Sequence, residues 1–348
     1  MLLTREQFRN GVLERDNNQC VICGSSTDLV AHHIMERRLF EDGGYYISNG
    51  STLCEEHHIL AEQTVLSCEE IREAAGITDI VLPPHLYQDT KYEKWSNIIL
   101  SDGRRLKGEL FFDESVQKIL KAGDVLKHFC KYVKYPRTWH LSHSHKVHRN
   151  DMQLDSNKQF NGKKVVVTIK MDGENTTMYN NYLHARSVDS ANHPTRGWVK
   201  RIHAEMGWNI PEGWRVCAEN MYAKHTVEYE NLESYLLVFS IWNEKNECLS
   251  WDDTIEWAEL LELSMTPVLY VGEWDEKKIH SLCPKEYNGD KVEGYVVRLF
   301  ESFTYGDFRK SVAKYVKPEF ADQLGTGSSH WKYKKIIPNK LQKKVVEK

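Results

Sequence analysis

A lysine that closes an apolar run and is followed at once by an Asp-Gly pair is equipped for nucleophilic chemistry. Lys170 opens the run Lys170-Met171-Asp172-Gly173-Glu174-Asn175, directly after the KVVVTI stretch Lys164–Ile169. Burial disfavours an ammonium ion, lowers a lysine's pKa and frees the lone pair for attack. The same residues also read as an ordinary Asp-Gly hairpin turn behind a surface lysine. A second reactive set lies near the N-terminus: Cys20-Val21-Ile22-Cys23, then Cys54-Glu55-Glu56-His57. Two ligand pairs with C-x-x-C and C-x-x-H spacing suit one tetrahedral zinc ion, so Cys20, Cys23, Cys54 and His57 are the expected ligands. Four unrelated buried thiols and imidazoles are the plainer alternative.

The elements that must position these groups are legible as pattern. Thr4-Arg5-Glu6-Gln7 is a capping box that opens a helix with Phe8 and Val12 on one face. Pro83-Pro84 breaks the chain, and Glu114 to Cys130 is helix-like. From about Lys131 strands and helices alternate. Strands are expected at Lys164–Ile169, Tyr182–Arg186, Trp214–Glu219, Tyr235–Trp242, Pro267–Val271, Glu293–Phe300 and Ser311–Lys317. Helices are expected at Arg196–Met206, Trp251–Leu263 and Asp275–Leu282. So many closely spaced strands exclude a helical bundle and point to an α+β domain built on antiparallel sheets.

The chain has 348 residues, a formal net charge of -4 and eight cysteines. That length holds two domains. No apolar run approaches a membrane span, and the start lacks a signal peptide's basic segment and long apolar core. The expectation is a cytoplasmic protein with no membrane partner, whose cysteines serve metal binding rather than disulfides.

The ordered motifs carry a resemblance. Lys170-Met171-Asp172-Gly173-Glu174-Asn175 resembles the first motif of the covalent nucleotidyltransferases: DNA ligases, RNA ligases and capping enzymes. In the family's order follow His184-Ala185-Arg186-Ser187, Cys217-Ala218-Glu219-Asn220-Met221-Tyr222 and Phe239-Ser240-Ile241-Trp242. Glu293-Gly294-Tyr295-Val296-Val297-Arg298 and Ala313-Lys314-Tyr315-Val316-Lys317 complete the set. Asn175, either Lys131-Tyr132 or Lys134-Tyr135-Pro136-Arg137, and Tyr222-Ala223-Lys224-His225 are most similar to ATP-dependent RNA ligases, over roughly residues 131–335.

The resemblance implies an antiparallel-sheet adenylation domain and a ligase that joins 3′-hydroxyl and 5′-phosphate ends through a lysyl-AMP intermediate. Lys170 would attack the α-phosphate of ATP. Asp172, Gly173 and Asn175 would help hold the cofactor, its metal or the end being joined. Arg186 would bind ribose or phosphates, and Phe239 would stack on adenine. Glu219 and Glu293 would hold ribose or a divalent ion, Mg²⁺ or Mn²⁺. Lys314 and Lys317 would bind phosphate oxygens. These two are three apart, whereas residues two apart share a strand face. Lys317 is preferred because it shares the face of Tyr315. Each role has a plain alternative, such as core packing for Phe239.

Residues 5–65 are similar to the zinc-ribbon branch of the HNH endonucleases, which implies a small ββα-metal zinc domain. His33 would be the general base, Asn49 would orient it, and His32 and His58 would hold a catalytic divalent ion. Asp is commoner at the position of His32, so the site lacks a hard oxygen. A zinc-stabilised nucleic-acid-binding module without cleavage is the alternative.

The expected organisation is therefore 1–80 zinc domain, 81–130 either an extension of that domain or a connector, 131–335 ligase domain and 336–348 basic tail. The stretch Trp331–Lys348 carries seven lysines against one glutamate. With Trp331 and Tyr333 it would contact a nucleic-acid backbone or stay solvated. His140, His143, His145 and His148 read as a solvated loop. The partner is nucleic acid, and the implied activity is cut-and-reseal repair or processing. A GTP-dependent capping guanylyltransferase and an end-binding protein with degenerate sites remain open.

Overall fold

The computed structural model describes residues 1–145, 151–190, 192–321 and 335–342. The chain divides into two compact units, Met1–Val133 and Lys134–Lys348. Residues 81–130 fall within the first unit.

In the first unit, helix α1 (Arg5–Arg15) starts at the Thr4 capping box and buries Phe8 and Val12. Strands β1 (Leu29–His33) and β2 (Gly50–Cys54) pair antiparallel, with His32 opposite Ser51. Helix α2 (Glu55–Glu62) follows β2 without a linker. Tyr92 joins the core around Ile34, Leu53 and Ile71, with Leu82, Leu86 and Leu110 packed against it. The Trp95 indole donates to the Glu62 carbonyl at 2.9 Å. The expected helix from Glu114 ends at Ala122. Gly123 and Asp124 stop it there, Asp124 taking the left-handed region with φ 54°.

The second unit is built on two sheets, largely antiparallel. One has five strands in the spatial order Val268–Glu273, Lys164–Ile169, Gly294–Leu299, Val312–Val316 and Trp139–His140. The other runs Phe303–Thr304, Glu247–Cys248, Leu236–Trp242, Arg215–Asn220, Glu174–Met178 and Leu183–Ala185, with Ser264–Met265 beside Leu236–Trp242. Helices Gly197–Met206 and Trp251–Leu260 cover the second sheet's apolar side.

Several boundaries differ from expectation for physical reasons. Glu174–Met178 (ENTTM) lacks an apolar pattern, yet it pairs on both edges and buries Thr176 and Thr177. The Lys170–Gly173 segment is not a hairpin turn. It carries the chain from one sheet to the other, and Glu174 is then clamped by Arg196 through two bonds of 2.6 and 2.7 Å. Residues 335–342 are not a solvated tail. They bridge to Ala223 and Leu232, and Asn339 is 2% exposed. His140 and His143 likewise leave the expected solvated loop. His140 is fully buried, and His143 bonds Tyr295 and Asn157. His148, Trp331 and Tyr333 lie outside the described residues. Among the described residues no helix is long and apolar enough to cross a membrane.

Candidate functional site

Period-two alternation in the five-stranded sheet builds one wall of a cavity. Val165 and Val167, Tyr295 and Val297, Ala313 and Tyr315 point to a closed apolar core. The intervening Thr168, Val296, Arg298, Val312 and Lys314 line an opening of about 440 Å³, and Lys170 lines it just beyond the strand end. That volume is typical of small-molecule sites. The facing wall comes from the second sheet. A register shift between Val238 and Ser240 lets Phe239 and Ser240 both face the cavity. Tyr135 packs edge-on against Phe239 at 5.2 Å.

At one end the cavity is strongly charged. Lys170, Lys314, Arg186, Arg137, Asp151, Glu219 and Asn175 all line it. The Lys170 Nζ lies 2.5 Å from Glu293 Oε2, with the two side chains 22% and 7% exposed. Burial pulls the Lys170 pKa down, but the carboxylates of Glu293, Asp172 and Glu219 push it up further, and it ends above the ordinary lysine value. The half-buried lysine is thus a held ammonium, not the free amine expected from burial alone. Burial raises the Glu219 carboxyl to about 8 against the pull of Lys170. Burial and Lys170 lower Lys314 to about 8. The Asn175 Oδ1 is buried with no hydrogen-bond partner.

Four expected ligands stand outside the lining. Lys317 shares the Tyr315 side, which is the closed side, and its Nζ donates to the Pro284 carbonyl at 2.6 Å. Lys314, not Lys317, reaches the cavity. The Asp172 carboxylate accepts from the Thr226 and Val227 amides at 2.7 and 2.8 Å, so it anchors a loop. Gly173 donates its amide to Glu219 at 3.2 Å. A Cβ there would meet the Asn220 carbonyl oxygen at 2.5 Å, so close packing requires glycine. Glu293 is absent from the lining and acts on Lys170. Tyr135, Arg137, Asp151 and Arg298 were not assigned from sequence. The Lys134–Arg137 run hinted at the first two, and alternation from Val296 would have placed Arg298.

In the first unit, Cys20, Cys23, Cys54 and His57 bring their ligand atoms within 4.8 Å of one another. Zinc–sulfur bonds of about 2.3 Å in a tetrahedron set sulfurs roughly 3.8 Å apart. Cys23 and Cys54 Sγ are 3.8 Å apart, and no disulfide joins these thiols. The four residues fit zinc.

His32 and His58 form a second cluster with Glu62, which sequence reading missed. Glu62 follows His58 by one helical turn, a spacing visible in the chain. Its Oε1 lies 3.4 Å from His32 Nδ1, 3.3 Å from His58 Nε2 and 3.1 Å from the buried Lys94 Nζ. Burial and Lys94 lower His32 to about 3, so its ring is neutral and ligand-ready. Glu62 supplies the hard oxygen that His32 does not.

His33 is not part of that cluster. Adjacent strand residues face opposite ways. His33 stacks on Phe8 at 4.4 Å and lines a groove of about 710 Å³ with Arg5, Arg9, Arg37 and Tyr45. Asn49 does not orient the His33 ring. Its side chain bonds Met35 and Gly44 and pins the intervening loop.

Residues 163–316 match the RNA ligase family. No curated protein sequence matches the chain. Among solved structures, it is similar to an RNA ligase of Naegleria gruberi. A mutant of that ligase with ATP and Mn is 14% identical with a TM-score of 0.37, over 55% of this chain and 59% of that one. The form with PPi is 14% identical with a TM-score of 0.38, over 80% of this chain and 74% of that one. In the first of these the match spans 59% of the solved ligase's length. The RNA ligase segment contains Lys170, Arg186, Glu219, Phe239, Glu293 and Lys314, but stops short of Lys317.

The ion pair makes a direct prediction. Glu293→Gln removes the carboxylate nearest Lys170, so the ammonium loses its proton at lower pH. Reaction of Lys170 with an amine-acylating reagent, followed by peptide mass spectrometry across pH, should show its midpoint move to lower pH. An unmoved midpoint contradicts the pairing.

Proposed function

We propose that the second unit is an ATP-dependent polynucleotide ligase that works through a lysyl-AMP intermediate. The observation that carries this reading is the cavity's polarity. A held lysine and further cations stand at one end, with the aromatic ring of Phe239 on one wall and the aliphatic Val296 on the facing one. In this reading the purine stacks on Phe239, with Val296 against its other face. Arg186 and Lys314 then face the phosphates. Lys170 attacks the α-phosphorus, the bond to the β-phosphate oxygen breaks, and pyrophosphate leaves. A 5′-phosphate end next takes the AMP from Lys170, and a 3′-hydroxyl displaces AMP to seal the strand. Each step is phosphoryl transfer, in which the protein positions groups and stabilises charge.

Glu219 and Asn175 offer the oxygen donors that suit Mg²⁺ or Mn²⁺. When bound, such an ion neutralises charge on the phosphates. Lys170 must give up its proton before attack, and the Glu293 carboxylate, 2.5 Å away, is placed to accept it. In this reading Lys317 has no phosphate role and Lys314 does.

For the first unit we infer a zinc-stabilised module that handles nucleic acid, with HNH-type cleavage as its activity. The His32–His58–Glu62 cluster favours a divalent ion, and Arg5, Arg9 and Arg37 suit a phosphodiester backbone. His33 faces that groove, so its role as base depends on a strand lying there.

Incubation with labelled ATP and Mg²⁺ should give a covalent AMP adduct in the wild type and none in Lys170→Ala. Labelled GTP should give little. Lys314→Ala should slow adduct formation about 100-fold or more, whereas Lys317→Ala should leave it within about threefold. An adduct in Lys170→Ala, or the reverse order for the two lysines, overturns the reading. Separately, purified protein should carry one zinc per chain. Cys54→Ala should lose it and lower the first unit's melting temperature. Zinc-free protein with an unchanged melting profile contradicts the zinc site.

A further inference from the structure

The turn that follows Lys170 is held from a distance. The Asp172 amide donates to the Tyr229 hydroxyl at 3.0 Å, and its carboxylate takes the amides of Thr226 and Val227. These three residues belong to the loop between strands Arg215–Asn220 and Leu236–Trp242. A loop of that length without regular structure cannot fix a turn by itself. Asp290 holds one side of it through the Glu230 and Asn231 amides at 2.9 and 3.3 Å. The other side is held by residues 335–342.

That segment lies along the loop like an added strand. Lys224 donates to the Ile337 carbonyl, Lys340 donates to Tyr229, and Gln342 donates to Leu232, each at 2.8 Å. Asn339 is the centre of the attachment. Its Nδ2 donates to the Met221 carbonyl at 2.8 Å, and its Oδ1 accepts from the Tyr229 amide at 3.0 Å. Its carbonyl accepts from the Tyr235 hydroxyl at 2.8 Å. A buried residue whose side-chain amide bonds two loop positions and whose carbonyl bonds a third specifies one loop conformation. Tyr229 therefore receives Asn339 on its backbone and presents its hydroxyl to Asp172, two residues from the nucleophile.

We propose that Asn339 and the 335–342 segment form a positioning element for Lys170, acting through Tyr229 on the Asp172 turn. The proposal rests on the lysyl-AMP reading of the cavity. It assigns to the basic C-terminal stretch a role in attack geometry rather than in gripping nucleic acid. Among the described residues the hydrogen-bond partners of Asn339 are Met221, Tyr222, Tyr229 and Tyr235, none of which lines the cavity, so its loss should not lower nucleotide affinity. Small misplacement of a nucleophile slows attack by large factors while leaving binding almost intact.

The test uses full-length variants and two readouts. Single-turnover adduct formation at saturating ATP should slow about 10- to 100-fold in Asn339→Ala, with ATP affinity within about threefold. Tyr229→Phe, which leaves every Asn339 bond in place, should show the same rate-selective defect. The double variant should be no slower than the slower single variant, because both act through one path. Lys340→Ala, which removes only an exposed pair with Glu230, should stay within about twofold. Amide hydrogen exchange at Asp172 and Gly173 should accelerate about tenfold or more in Asn339→Ala. Unchanged exchange at that turn overturns the proposal even if no nucleotide adduct forms in any variant. Additive rate defects, or equal losses of rate and affinity, also overturn it. Absence of an adduct in the wild type, with accelerated exchange in Asn339→Ala, defeats the ligase reading but leaves the mechanical link standing.

Discussion

The pairing of one half-buried ammonium ion with one buried carboxylate organises the second unit. Lys170 and Glu293 are neighbours across two paired strand ends, where the Lys170 amide also donates to the Gly294 carbonyl at 3.0 Å. The buried Glu293 carboxylate would be costly without the half-buried Lys170 ammonium beside it. Held together they fix the ends of two strands, and with them the charged end of the cavity. The pair also sets chemical state. A lysine that burial would neutralise is kept protonated, so the same contact that stabilises the fold restrains the nucleophile until its charge environment changes.

The rest of the cavity follows from alternation. Three strands share one register, in which Val296 lies opposite both Thr168 and Lys314. One face of those strands is closed core, and the other is functional. Lys314 and Lys317 fall on different sides for this reason alone. The parity argument was available in the sequence, but the side that Tyr315 occupies was not. Tyr315 stacks on Tyr295 in the closed core, 5.0 Å between centroids. A tyrosine near a phosphate motif and a tyrosine in a core look alike before the sheets are assembled.

Much of the arrangement was legible, and the exceptions share a cause. The apolar run Lys164–Ile169, the capping box at Thr4 and the four zinc-type ligands could be read because each signal is local. Glu174–Met178 could not, since its threonines are buried by pairing with strands distant in the chain. Asn339 lies among lysines that mark a solvated tail, and its burial depends on a loop more than a hundred residues earlier. Glu62 is the intermediate case: its helical spacing from His58 was visible, but only His32 on a paired strand gives that spacing a meaning. Within the first unit, adjacent His32 and His33 face different surroundings, one toward Glu62 and Lys94, the other toward Phe8 and three arginines.

The most direct measurement of the central claim is a crystal structure of the protein soaked with ATP. The account predicts the purine between Phe239 and Val296, with the α-phosphate between Lys170 and Lys314 or AMP already joined to the Lys170 Nζ. A nucleotide bound outside this cavity, or bound within it with its phosphates toward Arg298, would contradict the account.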